Sequence, residues 1–216
     1  MIAPHMDDEV LGCGGTIARH VDEGDRVDVC IVCNRAYQRR YDADAIAVEK
    51  LNAQCARSAL GYSELRFLDF PDERLYAHFQ EVLEAVEQVV AEAKPAVVYV
   101  CHHGDLHQDH RAVAHAVNIA LRAGAAPFVR RVLAYEVPSG TEQVFASTAD
   151  TFVPNVFVDI ASGLERKLAA MAAYERESRE FPHPRSRRML EARALFRGSQ
   201  CGYAAAEAFM LLREAR

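Results

Sequence analysis

Three acids and a histidine crowd the first nine residues, in the order His5-Met6-Asp7-Asp8-Glu9, and a glycine-rich run, Gly12-Cys13-Gly14-Gly15, follows them. Farther along, His102-His103-Gly104-Asp105-Leu106-His107-Gln108-Asp109-His110 gathers four of the nine histidines into one short stretch. Imidazole and carboxylate together are the usual ligand set of a catalytic Zn²⁺, which keeps one coordination position open for water. Ordinary structural roles cover part of the pattern. A helix N-terminus favours one or two acids through its dipole and free N–H groups, and Asp109 is a suitable cap for the helix after it. They leave unexplained both His5 beside the acids and four histidines at one strand end.

The elements that must position these residues alternate. Short β-branched runs at Met1–Ala3, Val27–Cys33, Leu65–Leu68, Ala96–Cys101, Val129–Glu136 and Asn155–Asp159 are predicted strands. Helical periodicity falls at Leu11–Glu23, Asp44–Leu60, Ala77–Ala93 and Asp109–Arg122, and residues 161–216 are expected to hold helices only, broken at Phe181–Arg185 and near Gly198. This order predicts an α/β fold: a Rossmann-like three-layer sandwich with a mostly parallel sheet and a helical C-terminal tail, residues 1–216 forming one domain. With a strand order of 3-2-1-4-5, the turn after strand one and the loop after strand four meet in the crevice beyond the carboxyl ends of the sheet. That convergence is stronger grounds for a site than either cluster alone. The first strand, at three residues, is short for a central one, so either it is short in the fold or the sequence begins late.

Composition narrows the classes. The chain is half hydrophobic and 26% charged, with a net charge of -6, which argues against a nucleic-acid coat. No apolar run is long enough to span a membrane, and charges enter too early for a secretory signal, so a cytoplasmic location is expected. The six cysteines lie among apolar stretches as buried thiols would; Cys30 and Cys33, although spaced C-x-x-C, sit on one predicted strand and face opposite sides.

The segment APHMDDEVLGCGGTIARH resembles the signature of the PIG-L/LmbE-like zinc deacetylases, and HQDHRAV resembles their second metal motif. Pro71-Asp72, Tyr135-Glu136-Val137-Pro138, Arg197-Gly198 and Glu207-Ala208-Phe209 are similar to the family as well, more weakly. The resemblance implies removal of the N-acetyl group from an N-acetylglucosamine-type sugar conjugate, giving acetate and a free amine. It implies one Zn²⁺ per chain on His5, Asp8 and His110, with Asp7 as general base. His107 is implied as the polarising or acidic group, and Asp109 as the partner that orients it. Either Asp7 or His107 protonates the leaving amine. Met6 and Gln108 stand where the family often has proline. The family also implies self-assembly, as a trimer or hexamer.

Substrate contacts are expected from three further residues. Arg35 lies in the basic loop Asn34–Arg40 after strand two and is placed to grip an anionic tail, though such a loop is more often a solvated one. Asp72 follows strand three and Glu136 closes strand five, each an ordinary turn or strand-end acid if not a sugar contact. Pro182-His183-Pro184-Arg185 is by default a rigid linker between helices, or else closes over the pocket. His20, His78 and His115 sit on helical patterns and are taken as structural.

Three rivals compete. Gly12–Gly15 lacks the G-x-G-x-x-G spacing of a dinucleotide site, and its preceding acids would repel a pyrophosphate. Two-metal phosphoester hydrolysis needs more bridging carboxylates than the clusters supply. A metal-binding, catalytically inactive small-molecule binding protein of the same fold has no need of Asp7 or His107.

Overall fold

The computed structural model describes residues 1–34, 43–145 and 150–215. In chain order these form β1 (Ile2–Ala3), α1 (Asp8–Asp22), β2 (Asp28–Cys33), α2 (Ala43–Leu60), β3 (Glu64–Phe70), α3 (Phe79–Ala93), β4 (Val97–Cys101) and α4 (Gln108–Ala120). They continue with β5 (Arg131–Tyr135), β6 (Val156–Asp159), α5 (Leu164–Ala172), α6 (Arg187–Ser199) and β7 (Ala206–Glu214).

Parallel pairing joins β1 to β2 and β2 to β3, and separately β4 to β5. Strands β1 and β4 lie next to each other without a ladder between them, so the expected 3-2-1-4-5 order is spread over two hydrogen-bonded sheets. α1, α2, α5 and α6 pack on one another, and α3 packs on α4, giving the layers of an α/β sandwich. Strands β2 and β4 carry unbroken apolar runs because both of their faces are covered. One core of buried side chains extends across both ladders.

The tail departs from expectation. Helices α5 and α6 are there, but residues 206–214 form a strand, β7, antiparallel to both β5 and β6 and lying between them. Ala, Glu, Met and Leu favour a helix locally, but two open strand edges offer ladder bonds along the whole segment, and pairing overrides propensity.

The Gly12–Gly15 run serves packing. A Cβ on Gly12 would strike the Tyr135 ring, and one on Gly15 would sit 2.6 Å from Ile160 Cβ. The absent side chains let α1 approach the sheet closely. Tyr135 then donates its hydroxyl to the Ile2 carbonyl at 3.1 Å, tying β5 to the two-residue β1 immediately before His5.

Candidate metal centre and its cavity

His5 and Asp8 leave β1 together, and His110 lies in the first turn of α4, so both expected clusters arrive at the carboxyl ends of β1 and β4. His5 Nδ1, Asp8 Oδ2 and His110 Nε2 form a nearly equilateral triangle. The His5–Asp8 side is 3.3 Å, the Asp8–His110 side 3.2 Å and the His5–His110 side 3.2 Å. A tetrahedral ion with bonds of about 2.0–2.1 Å needs its donors about 3.3 Å apart. The set therefore fits a divalent ion of zinc's size. All three residues are buried.

Each ligand candidate is held from behind. His110 Nδ1 lies 3.1 Å from Asp105 Oδ1, whose carboxylate also accepts the Thr141 hydroxyl and the His107 backbone N–H. His5 Nε2 lies 3.1 Å from Asp109 Oδ2, and the His5 backbone N–H donates to Asp8 Oδ2. Asp109 also accepts the Glu73 N–H at 2.6 Å. Carboxylate behind imidazole is the usual support of a metal-bound histidine.

The electrostatics call for a cation. Burial works to lower His110, but the Asp8 charge and the Asp105 hydrogen bond prevail and raise it to about 9. Burial alone would raise Asp8, yet His110 and His5 hold it well below the usual carboxylate range. Two positive imidazoles around a carboxylate supply the charge that a divalent ion would otherwise bring.

Asp109 plays two parts. Its carboxylate is 3.9 Å from His107 Nδ1 against 3.1 Å from His5, so the side chain supports His5 more closely than the expected His107. Its backbone N–H is what orients His107, donating to Nδ1 at 3.2 Å. With Nδ1 accepting, the proton of a neutral His107 sits on Nε2. Burial, followed by the like charges of His5 and His110, lowers His107 to about 4, so it is a neutral donor at pH 7. His107 also offers a nitrogen within 4.8 Å of those of His5 and His110. Asp8 closes the tighter triangle.

Asp7 occupies the N-cap position of α1 at φ 117°, a region that disfavours any residue but glycine, and its side chain makes no capping bond. Its N–H donates to Glu9 Oε2, and its carbonyl accepts from Val10 and Leu11. Burial pushes Glu9 up to about 7, against the hydrogen bond it accepts from the Tyr174 hydroxyl. Non-glycine strain of this kind, costing on the order of 1–3 kcal/mol, collects at functional sites.

A cavity of about 460 Å³ opens over the triangle, lined by His5, Asp7, Asp72, His107 and His110 together with Ser139, Glu177 and Arg185. Asp72 is thus on the cavity wall. Glu136 is not: both its oxygens are taken by Arg193 and Arg197 of α6, at 2.8 Å each, on a separate pocket. Arg35 lies outside the described residues. His102 is turned away, its ring 2.9 Å from the Asp150 carbonyl, and His103 is exposed, so only two of the four clustered histidines converge on the triangle. Cys33 lies beside Asp109, and burial pushes its thiol up to about 11.

Arg185, read in the sequence as part of a linker or of a segment closing over the pocket, lies on the cavity. Its Nη1 donates to Asp7 Oδ2 and Glu177 Oε2, at 2.7 Å each, and its Nε donates to Ser139 Oγ at 2.8 Å. Asp105 and Thr141 were missed as support, although Asp105 stands inside the histidine-rich stretch itself.

Residues 1–121 match the family model PIG-L, described as GlcNAc-PI de-N-acetylase, and carry every member of the triangle. Uncharacterized deacetylase YaiS of Escherichia coli is 28% identical over 180 residues, covering 81% of this chain and 88% of that protein. Diacetylchitobiose deacetylase of Thermococcus kodakarensis is 29% identical over 220 residues, covering 95% of this chain and 79% of that one. Among solved structures, N,N'-diacetylchitobiose deacetylase from Pyrococcus horikoshii superposes with a TM-score of 0.76 at 22% identity, over 98% of this chain and 82% of that chain. The match to more than half of the sequence, joined to a shared architecture, makes this chain a member of the PIG-L family.

Proposed function

We propose that the protein is a metal-dependent N-deacetylase that releases acetate from an N-acetylglucosamine-type sugar conjugate, using one Zn²⁺ on His5, Asp8 and His110. The observation that carries this reading is the donor triangle, with sides of 3.2 to 3.3 Å, at the floor of a cavity that Asp7 and His107 also line. The relatives' names supply the bond class, since two of them act on acetylated chitobiose.

A bound Zn²⁺ supplies Lewis acidity, polarising a carbonyl and lowering the pKa of water toward about 7. Asp7 takes the proton of the attacking water, its backbone held by Glu9 and the first turn of α1. His107, neutral and carrying its proton on Nε2, donates to the acetyl oxygen as negative charge develops there. Asp7, once protonated, holds the proton that the leaving amine requires. Asp72, on the cavity wall, accepts hydrogen bonds from sugar hydroxyls.

The test is release of free amine from a panel of N-acetylglucosamine conjugates, with Zn²⁺, after chelation, and with Asp7→Ala. Release that needs metal and collapses in the variant is expected. One equivalent of bound metal with no release from any conjugate would sink the deacetylase reading and favour a binding protein.

A further inference from the structure

Asp7 and Ser139 are two non-glycine residues at left-handed φ, 117° and 76°, on loops that follow β1 and β5. One side chain bonds both. Arg185 reaches them from the connection between α5 and α6, with 178 residues separating it from Asp7. Its own backbone is fixed: the Arg185 N–H donates to His183 Nδ1, and the next residue, Ser186, caps α6 by accepting the Met189 N–H. Glu177, buried on the same connection, shares Nη1 with Asp7 and holds the guanidinium through the same nitrogen.

We propose that Arg185 is the positioning residue for Asp7, a guanidinium that fixes the rotation of the carboxylate by holding Oδ2. A guanidinium is suited to this, being planar and permanently charged, with Nε–H and Nη–H in a fixed relation. A lysine has one nitrogen and cannot span Asp7, Glu177 and Ser139 with the same geometry. The strained backbone at Asp7 sets where the carboxylate starts, and Arg185 sets where it points. The residue lies outside the stretch that the family model matches, so the C-terminal part of the chain completes a site founded in the N-terminal part.

This inference rests on the deacetylase reading for its kinetic arm only. In Arg185→Ala, kcat is expected to fall about 100-fold, the usual consequence of misplacing a reacting group by about 1 Å. KM should stay within about threefold and metal content at one per chain. Arg185→Lys should recover part of kcat, and low, non-denaturing guanidinium should recover part in Arg185→Ala. Unchanged kcat would overturn the proposal, as would a rise in KM alone, which would make Arg185 a substrate contact. A second arm needs no turnover: hydrogen exchange across residues 5–11 of the full chain should accelerate in Arg185→Ala and less in Arg185→Lys. If the wild-type protein cleaves no conjugate, the deacetylase reading fails while the exchange arm still decides the contact. Unaltered exchange there would remove it.

Discussion

Asp105 and Asp8 grip the two nitrogens of one imidazole: His110 Nδ1 lies 3.1 Å from Asp105 and Nε2 lies 3.2 Å from Asp8. Asp105 therefore fixes which nitrogen of His110 faces the triangle. Losing such a support behind a metal-bound histidine typically costs 10–100-fold in affinity. Asp105→Ala is expected to weaken zinc binding by about that factor, with activity recovering as metal is added in excess. Competition against a chromophoric chelator gives the affinity, and a value equal to wild type would refute the support role.

The division of work proposed for the neighbours Asp7 and Asp8 predicts two distinct failures. Asp7→Asn should keep one metal per chain and lose about 10²- to 10⁴-fold in kcat, the range of general-base loss. Asp8→Asn should lose the metal first. Metal analysis beside turnover separates them; loss of metal in both variants would contradict the division.

Glu136 is a stability residue with a pH signature. Burial alone would raise its pKa, but Arg197 and Arg193 outweigh it and hold the carboxyl below the ordinary glutamate value of 4.5. The folded pKa is depressed, so the contribution is complete above about pH 4.5 and is lost as pH falls through the folded value. Glu136→Ala should cost about 3 kcal/mol at pH 7, because it leaves Arg193 and Arg197 without their shared anion. The gap to wild type should narrow below pH 4.5 in denaturant melts. KM should not move, since Glu136 does not line the cavity; a raised KM would return it to the substrate.

Gly12 and Tyr135 are packed too closely for a methyl group. Gly12→Ala is expected to destabilise by about 1–3 kcal/mol, the cost of overpacking. Tyr135→Phe, which loses only the bond to the Ile2 carbonyl, should cost about 1 kcal/mol. Thermal denaturation ranks the pair, and a neutral Gly12→Ala would mean the ring has room to move.

The convergence of the two clusters was legible in the sequence because ligand chemistry permits few residue types, and parallel topology brings the ends of β1 and β4 together whatever lies between them. The meeting of His5 and Asp8 with His110 was readable for that reason. The bond of Arg185 to Asp7 was not, because a long-range contact across the site leaves no local pattern around either partner. Glu136 misled because a strand-end acid at the right sheet edge carries no mark of which face its side chain takes; two arginines on a helix 57 and 61 residues later decide that. The strand β7 escaped because its composition is that of a helix, and only the open edges of β5 and β6 make it a strand. No helix among the described residues is long and apolar enough to cross a membrane.

β7 is also the last of the described strands to be synthesised, yet it is an interior one. While the ribosome is still adding residues 160–205, the edges of β5 and β6 have no partner between them. At about 5–20 residues per second, that interval lasts several seconds. A chain released early would leave the β5 edge bare and β6 without a strand to pair with, an arrangement that invites pairing with another chain. β7 therefore does two things at once: it covers β5, and it makes β6 rather than β5 the outer strand of that ladder.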